Sequence, residues 1–314
     1  MSNSRQPHAH NAAHLPQLIR RFTLVALTTA AVPTLATGAT GCGFDSSTLQ
    51  FSGTRLEQAK CLLQPDENDH QAPARGASLP APLESLMTRE FTLDTEKFRS
   101  YLHAHGISEN DIGGPLDQPV SHSLANGHPA ARYFVIHDTS LNVCTQTGKF
   151  SGSDSPSASS NLKQRWQDSE EAHLFITRDG KSIRPQGRDF SVPWRATKLE
   201  HVVGQRARGI FLHVENVQLR AVDLRPGESP LNGKGDCRND RIAQTPGFTD
   251  AQYDRLALAY LDASSRARQW LVPAYHVAID RGIADGHDDP RNFDLARWGR
   301  AVCEKLVALG EKCE

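Results

Sequence analysis

Three well-separated stretches of the chain carry side chains that could grip a metal ion. YFVIHDTS (133–140) ends an apolar run on His137, VPAYHVAID (272–280) carries His276, and GHDDP (286–290) offers His287, Asp288 and Asp289. A catalytic zinc takes three protein ligands from nitrogen, oxygen or sulfur donors and keeps a further position open for water or substrate. His137, His276 and a carboxylate from Asp289 or Asp288 make such a set. Each is weak alone, because a histidine closing a strand commonly serves packing and Asp-Asp-Pro commonly makes a turn. A fourth group stands in GIFLHVENV (209–217), where Glu215 shares a strand face with Phe211 and His213. Taken singly, Glu215 reads as a solvated strand residue or the partner of a nearby arginine. His213 and His173 read as structural polar tips, Trp194 as packing or the lining of a glycan groove, and Lys198 has no assigned role.

The elements that must position these groups can be placed from pattern. ARYFVIH (131–137) is a near-continuous apolar run of strand length, as in a strand covered on both faces. AHLFITRDGKSIR (172–184) predicts two short strands joined at Asp179-Gly180. In 209–217, Ile210, Leu212 and Val214 alternate with Phe211, His213 and Glu215, which places the carboxylate on a sheet surface. Residues 249–271 predict the clearest helix, opened by the capping box of Thr249 and Gln252. LDTEKFRSYLHAHGI (93–107) predicts another, stopped at Gly106, and a last helix is expected around 294–309. On such a helix His103 and His105 face different ways, so they do not form a metal pair. Residues 272–298 read as a loop dense in His, Asp and Gly, and 62–86 as a linker or extended wrap. The whole predicts an α/β domain with its site in loops at a sheet edge.

The N-terminus has the form of an export signal: LIRR (18–21), the apolar FTLVALTTAAVPTLA (22–36), then small residues in TGATG (37–41). The apolar stretch, interrupted by Pro33, is short for a membrane span. Arg20-Arg21 raises the twin-arginine route and Cys42 a lipoprotein anchor, but both are weaker than a soluble exported product, periplasmic or secreted. All six cysteines follow the cut, and an even set in an oxidising compartment implies three disulfides. Proximity pairs Cys42 with Cys61 and Cys303 with Cys313, leaving Cys144 for Cys237. The expected organisation is a signal over 1–41, a small N-terminal module and linker over 42–125, and the chemistry-bearing domain over 126–314. A formal net charge of −1 supplies no field to draw in nucleic acid or an anionic membrane.

In order and local context these segments resemble the zinc amidases of the N-acetylmuramoyl-L-alanine amidase type 2 and peptidoglycan-recognition family, over roughly residues 130–300. YFVIHDTS is similar to the family's opening strand and AHLFITRDG to its Arg-Asp-Gly hairpin. GIFLHVENV resembles its Gly-Ile…Glu strand, and VPAYHVAIDRGIADGHDDPRNFDLARW its closing segment. The resemblance implies a mixed central β-sheet flanked by helices and one Zn2+ per chain held by His137, His276 and Asp289. It implies that Glu215 exchanges protons with the attacking water, and that His287 stands where the bacterial enzymes usually carry a lysine and stabilises the developing oxyanion. The chain departs from the family in that histidine, in Ala-Tyr-His replacing Gly-His, and in a longer loop before Asp289, which leaves Asp288 as a competing ligand. The implied reaction is hydrolysis of the amide joining N-acetylmuramic acid to L-alanine, with peptidoglycan or a muropeptide as partner. A non-catalytic peptidoglycan-binding protein of the same fold and a zinc peptidase acting on the stem peptide are the alternatives.

Overall fold

The computed structural model describes residues 42–69, 78–144, 150–238 and 241–313. The expected export signal, 1–41, lies outside the described residues. In chain order the strands are β1 (Phe44–Asp45), β2 (Gln50–Phe51), β3 (Tyr133–Asp138), β4 (Leu141–Asn142) and β5 (Leu174–Ile176), then β6 (Ser182–Ile183), β7 (Phe211–Asn216), β8 (Leu219–Ala221), β9 (Ile242–Ala243) and β10 (Val272–Tyr275). The α-helices are α1 (Arg55–Leu62), α2 (Ala81–Thr88), α3 (Thr95–Ala104), α4 (Lys163–Trp166), α5 (Lys198–Val203), α6 (Asp250–Ala267), α7 (His276–Ile279) and α8 (Leu295–Ala308).

The central sheet is mixed, in the order β10-β3-β7-β5-β6, with β10, β3, β7 and β5 parallel and β6 antiparallel to β5. Strands β3 and β7 are buried at every position, as parallel strands covered on both faces must be. The alternation in 209–217 therefore separates two buried faces, and the expectation that Glu215 lies on a sheet surface is corrected. One face takes α6: Phe134 meets Tyr260 edge to face at 5.4 Å, and Tyr260 meets Trp298 of α8 at 5.4 Å. Thr249 and Gln252 do form the capping box that starts α6, so its apolar stripe begins in register with the sheet.

The other face is covered near the strands' N-terminal ends by the first described residues. Phe51 stands 5.2 Å from the ring of Tyr133, which stacks on Phe211 at 5.1 Å, and the Phe51 backbone N–H donates to the Tyr133 hydroxyl at 2.8 Å. Burying each such ring contributes about 1.5–3 kcal/mol. The stretch 42–125 thus shares one core and one compact unit with 126–314 rather than standing beside it. Residues 70–77 of the expected 62–86 linker lie outside the described residues, and its last part is the start of α2, which opens on Pro80 and buries Leu83, Leu86 and Met87.

Residues 272–298, expected as loop, begin with β10 and α7. Pro273 is tolerated because β10 is an edge strand of the sheet. Further along, α8 occupies the predicted final helix and α3 the predicted 93–107 helix, capped by Asp94. All three disulfides pair as proximity suggested: Cys42–Cys61, Cys144–Cys237 and Cys303–Cys313. No helix among the described residues is long and apolar enough to cross a membrane.

Candidate metal centre

Register assembles the site. In the parallel pair β3–β7, His137 stands opposite Glu215; in β10–β3, Tyr275 stands opposite Ile136, so the next residue, His276, arrives beside His137. Side chains alternate along a strand, so these three share one face of the sheet, at the C-terminal ends of the strands. Below them on that face come His213, opposite Val135, and then the Tyr133–Phe211 pair. Open α/β sheets carry their sites at this end of parallel strands.

His137 Nδ1 lies 2.9 Å from His276 Nδ1 and 3.6 Å from Asp289 Oδ2, and His276 Nδ1 lies 3.0 Å from Asp289 Oδ1. All three side chains are buried, and their donor atoms converge within 4.8 Å of one another. Glu215 closes the group, with Oε1 3.8 Å from His137 Nδ1 and Oε2 buried without a hydrogen-bond partner. Two imidazole nitrogens meeting face on beside two carboxylates, one with an orphaned oxygen, fit a cation. Two nitrogens and one carboxylate oxygen are a donor set that could hold a divalent metal ion, with Glu215 beside it. The Glu215 side chain keeps 11% exposure against 1% for His137.

The electrostatics agree with a place made for positive charge. Burial, reinforced by the neighbouring histidines, lowers the His137 pKa well below its ordinary value. Burial also opposes charge on His276, but Asp289 and Asp280 outweigh it and raise His276 to about 10. A proton on His276 thus occupies part of the role of a cation. Burial together with Asp289 and Asp138 pushes the Glu215 carboxyl well above its ordinary range.

Asp288 and Asp289 separate cleanly. Asp289 faces the histidines and accepts from the Asp138 backbone N–H at 3.2 Å. Asp288 turns to Arg220 at 2.7 Å and Arg291 at 2.8 Å. Arg220, fully buried, also donates to Asp138 Oδ2 at 2.7 Å, and Arg291 reaches Asp66 at 2.9 Å. A charge network thus runs from the end of β3 through the Asp289 loop to the segment after α1. His287 does not join the three ligands. Its ring stacks on His276 with centroids 4.2 Å apart, its Nδ1 lies 3.0 Å from Asp280 Oδ2, and the side chain is 46% exposed.

Asp280 is the residue that sequence reasoning missed. Its Oδ2 lies 3.0 Å from His276 Nε2, and its Oδ1 accepts from the Leu199 N–H at 3.1 Å. A carboxylate behind a metal-ligating histidine fixes the ring and raises its basicity. The signal was the spacing of four between His276 and Asp280, usable only once α7 is recognised. His276, Asp280 and His287 form a second potential ligand group, but it shares His276 with the first. Tyr275, where the sequence resemblance leads to the expectation of a glycine, is buried against Phe293 at 5.5 Å. Trp194 lies under the Arg188 guanidinium, 3.6 Å from its ring centroid, and Lys198 opens α5 without a part in the site. His173 is structural: its Nδ1 accepts from the His213 N–H at 2.9 Å, and burial lowers its pKa to about 3.

Comparison with known protein families, with curated proteins and with solved structures finds no match.

Proposed function

We propose that the protein is an exported zinc hydrolase on a type 2 amidase-like fold, cleaving the amide between N-acetylmuramic acid and L-alanine in peptidoglycan or soluble muropeptides. The observation that carries this reading is the convergence of His137, His276 and Asp289 beside the unpartnered oxygen of Glu215. When bound there, zinc supplies Lewis acidity that polarises a carbonyl and acidifies water. Glu215, the carboxylate beside the three ligands, takes the proton of the attacking water and returns it to the departing amine. His287, with Nδ1 held by Asp280 and its side chain 46% exposed, is the group that donates toward the oxygen on which charge develops. The buried walls keep bulk water from weakening these interactions. Three disulfides suit the oxidising compartment in which such a substrate is met.

The test is metal analysis of the purified protein joined to mass spectrometry of muropeptides digested by the wild type and by Glu215→Ala. The expected result is about one zinc per chain in both, with new L-alanine amino termini from the wild type alone. Absence of zinc, or full activity of Glu215→Ala, overturns the mechanism. Cuts confined to the stem peptide identify a peptidase, and binding without cleavage a receptor.

A further inference from the structure

We propose that His213 and Glu200 form a buried relay that positions His137, dictating which of its ring nitrogens presents a lone pair to the metal; this rests on the zinc reading above. His137 Nε2 lies 3.1 Å from His213 Nδ1, and His213 Nε2 lies 3.2 Å from Glu200 Oε2. All three side chains are at most 1% exposed, so water does not compete for these positions.

The logic is proton counting on the rings of His137 and His213. A neutral imidazole carries one N–H, and the other nitrogen accepts. Glu200 Oε2 already receives the N–H groups of Ala196 and Thr197 and the Thr197 hydroxyl, each at 3.0 Å, so it is an acceptor. The contact lacks hydrogen-bond geometry, but a lone pair on Nε2 would face that oxygen 3.2 Å away, so His213 keeps its proton on Nε2 and offers the lone pair of Nδ1. His137 then donates from Nε2, and its Nδ1 lone pair turns toward His276 and Asp289. With the opposite tautomers, an N–H would point where the ion must sit.

The relay is held rigidly. The His213 ring stacks on His173 with planes 9° apart, and His173 is fixed in turn by the His213 N–H at its Nδ1 and by the Val192 carbonyl 3.0 Å from its Nε2. Behind His276 stands a carboxylate without an intervening ring, Asp280 Oδ2, 3.0 Å from Nε2. The two ligating histidines thus have different supports: a carboxylate at first hand for one, and a carboxylate acting through a second imidazole for the other. His213 and Glu200 are positioning residues, since they touch His137 and not the reacting atoms.

The experiment uses the purified protein in two measurements. Long-range proton–nitrogen NMR of the metal-free protein, labelled at histidine, reads the His137 tautomer. Competition of zinc against a chromophoric chelator reads affinity for the wild type, His213→Leu and His213→Gln, with melting curves to show that each is folded. The expected result is His137 protonated on Nε2 in the wild type and a loss of zinc affinity of about 10–100-fold in His213→Leu. His213→Gln, whose amide oxygen can accept from Nε2–H, should recover most of it. A wild-type His137 protonated on Nδ1, or a folded His213→Leu that binds zinc as tightly as the wild type, overturns the relay and leaves the metal centre standing. A wild type that binds no zinc overturns both. Should His213→Leu not fold, the tautomer and His213→Gln still decide.

Discussion

Asp288 and Asp289 are neighbours in the chain with opposed allegiances: Asp289 Oδ1 sits 3.0 Å from His276 Nδ1, while Asp288 Oδ1 sits 2.7 Å from Arg220 Nη1. A ligand must face the ion, and a carboxylate already shared between two guanidinium groups has little left to offer it. Asp289→Asn is therefore expected to reduce bound zinc to a small fraction of wild type, and Asp288→Asn to leave it near one per chain. The measurement is metal content after dialysis against a weak chelator. Because the Asp288 side chain is 41% exposed, its loss is expected to lower stability by less than about 1 kcal/mol. Equal metal loss in the two variants would remove Asp289 from its assigned role.

Arg220 joins two segments that the site needs at once. It holds Asp138, directly after His137, and Asp288, directly before Asp289. The burial of Asp138 pushes its carboxyl up, Arg220 opposes that rise, and Asp289 adds to it. Arg220→Met leaves the Asp138 carboxylate buried without its cation, which typically costs about 3–5 kcal/mol. Denaturant unfolding of the metal-free variant reads this loss directly. A loss below about 1 kcal/mol would show that Arg291 and Ser140, which also donate to Asp138, suffice without the guanidinium.

The residues that converge at the candidate site were legible in the sequence, and their supports were not. His137, His276, Asp289 and Glu215 announce themselves by residue type inside recognisable local patterns. That His137 pairs with Glu215 across β3 and β7 is a matter of register, set by packing of both faces against α6 and the N-terminal aromatics. Strand β10 was hidden because four residues containing Pro273 do not read as a strand, and α7 because one helical turn has no periodicity to detect. Asp280 was invisible without α7. The contact of His213 with Glu200 joins β7 to the capping box of α5, which no local pattern predicts. The layered α/β architecture was readable because long amphipathic helices and apolar strands are local signals, whereas the merging of residues 42–125 into the main core depends on contacts such as Phe51 with Tyr133.

The disulfides differ in how much chain they close. Cys303–Cys313 spans 10 residues, Cys42–Cys61 spans 19 and Cys144–Cys237 spans 93. If the bridges act by restricting the unfolded chain, their removal should cost about 2.7, 3.2 and 4.7 kcal/mol respectively. Paired Cys→Ala variants unfolded in guanidinium chloride measure the order. Cys144–Cys237 also ties the strand β4 region, which extends beyond His137, to the loop before β9, so zinc affinity is expected to fall in that variant alone. An unchanged midpoint for the Cys144→Ala, Cys237→Ala double variant would contradict the assignment of this bridge as the principal staple.

Asp189 gives the clearest pH test, because it lies outside the metal centre. Burial pushes its carboxyl up, but hydrogen bonds from Ser191 and the charges of Arg266 and Arg184 outweigh burial and hold it below the ordinary carboxylate range. The Ser191 N–H donates to Oδ1 at 2.6 Å, Arg184 to Oδ2 at 3.3 Å, and Arg266 stands 3.7 Å away. A carboxyl depressed in the folded state binds a proton more readily when unfolded. Its stabilisation is fully present above the unfolded value of about 3.9 and is lost as pH falls through the lower folded value. Asp189→Asn is therefore expected to be less stable than wild type by about 1–2 kcal/mol at pH 7, with the gap narrowing below about pH 4. Urea unfolding of both proteins between pH 3 and pH 7 reads the difference. A gap that stays constant across that range would mean that Asp189 contributes through shape and neutral hydrogen bonding rather than through its charge.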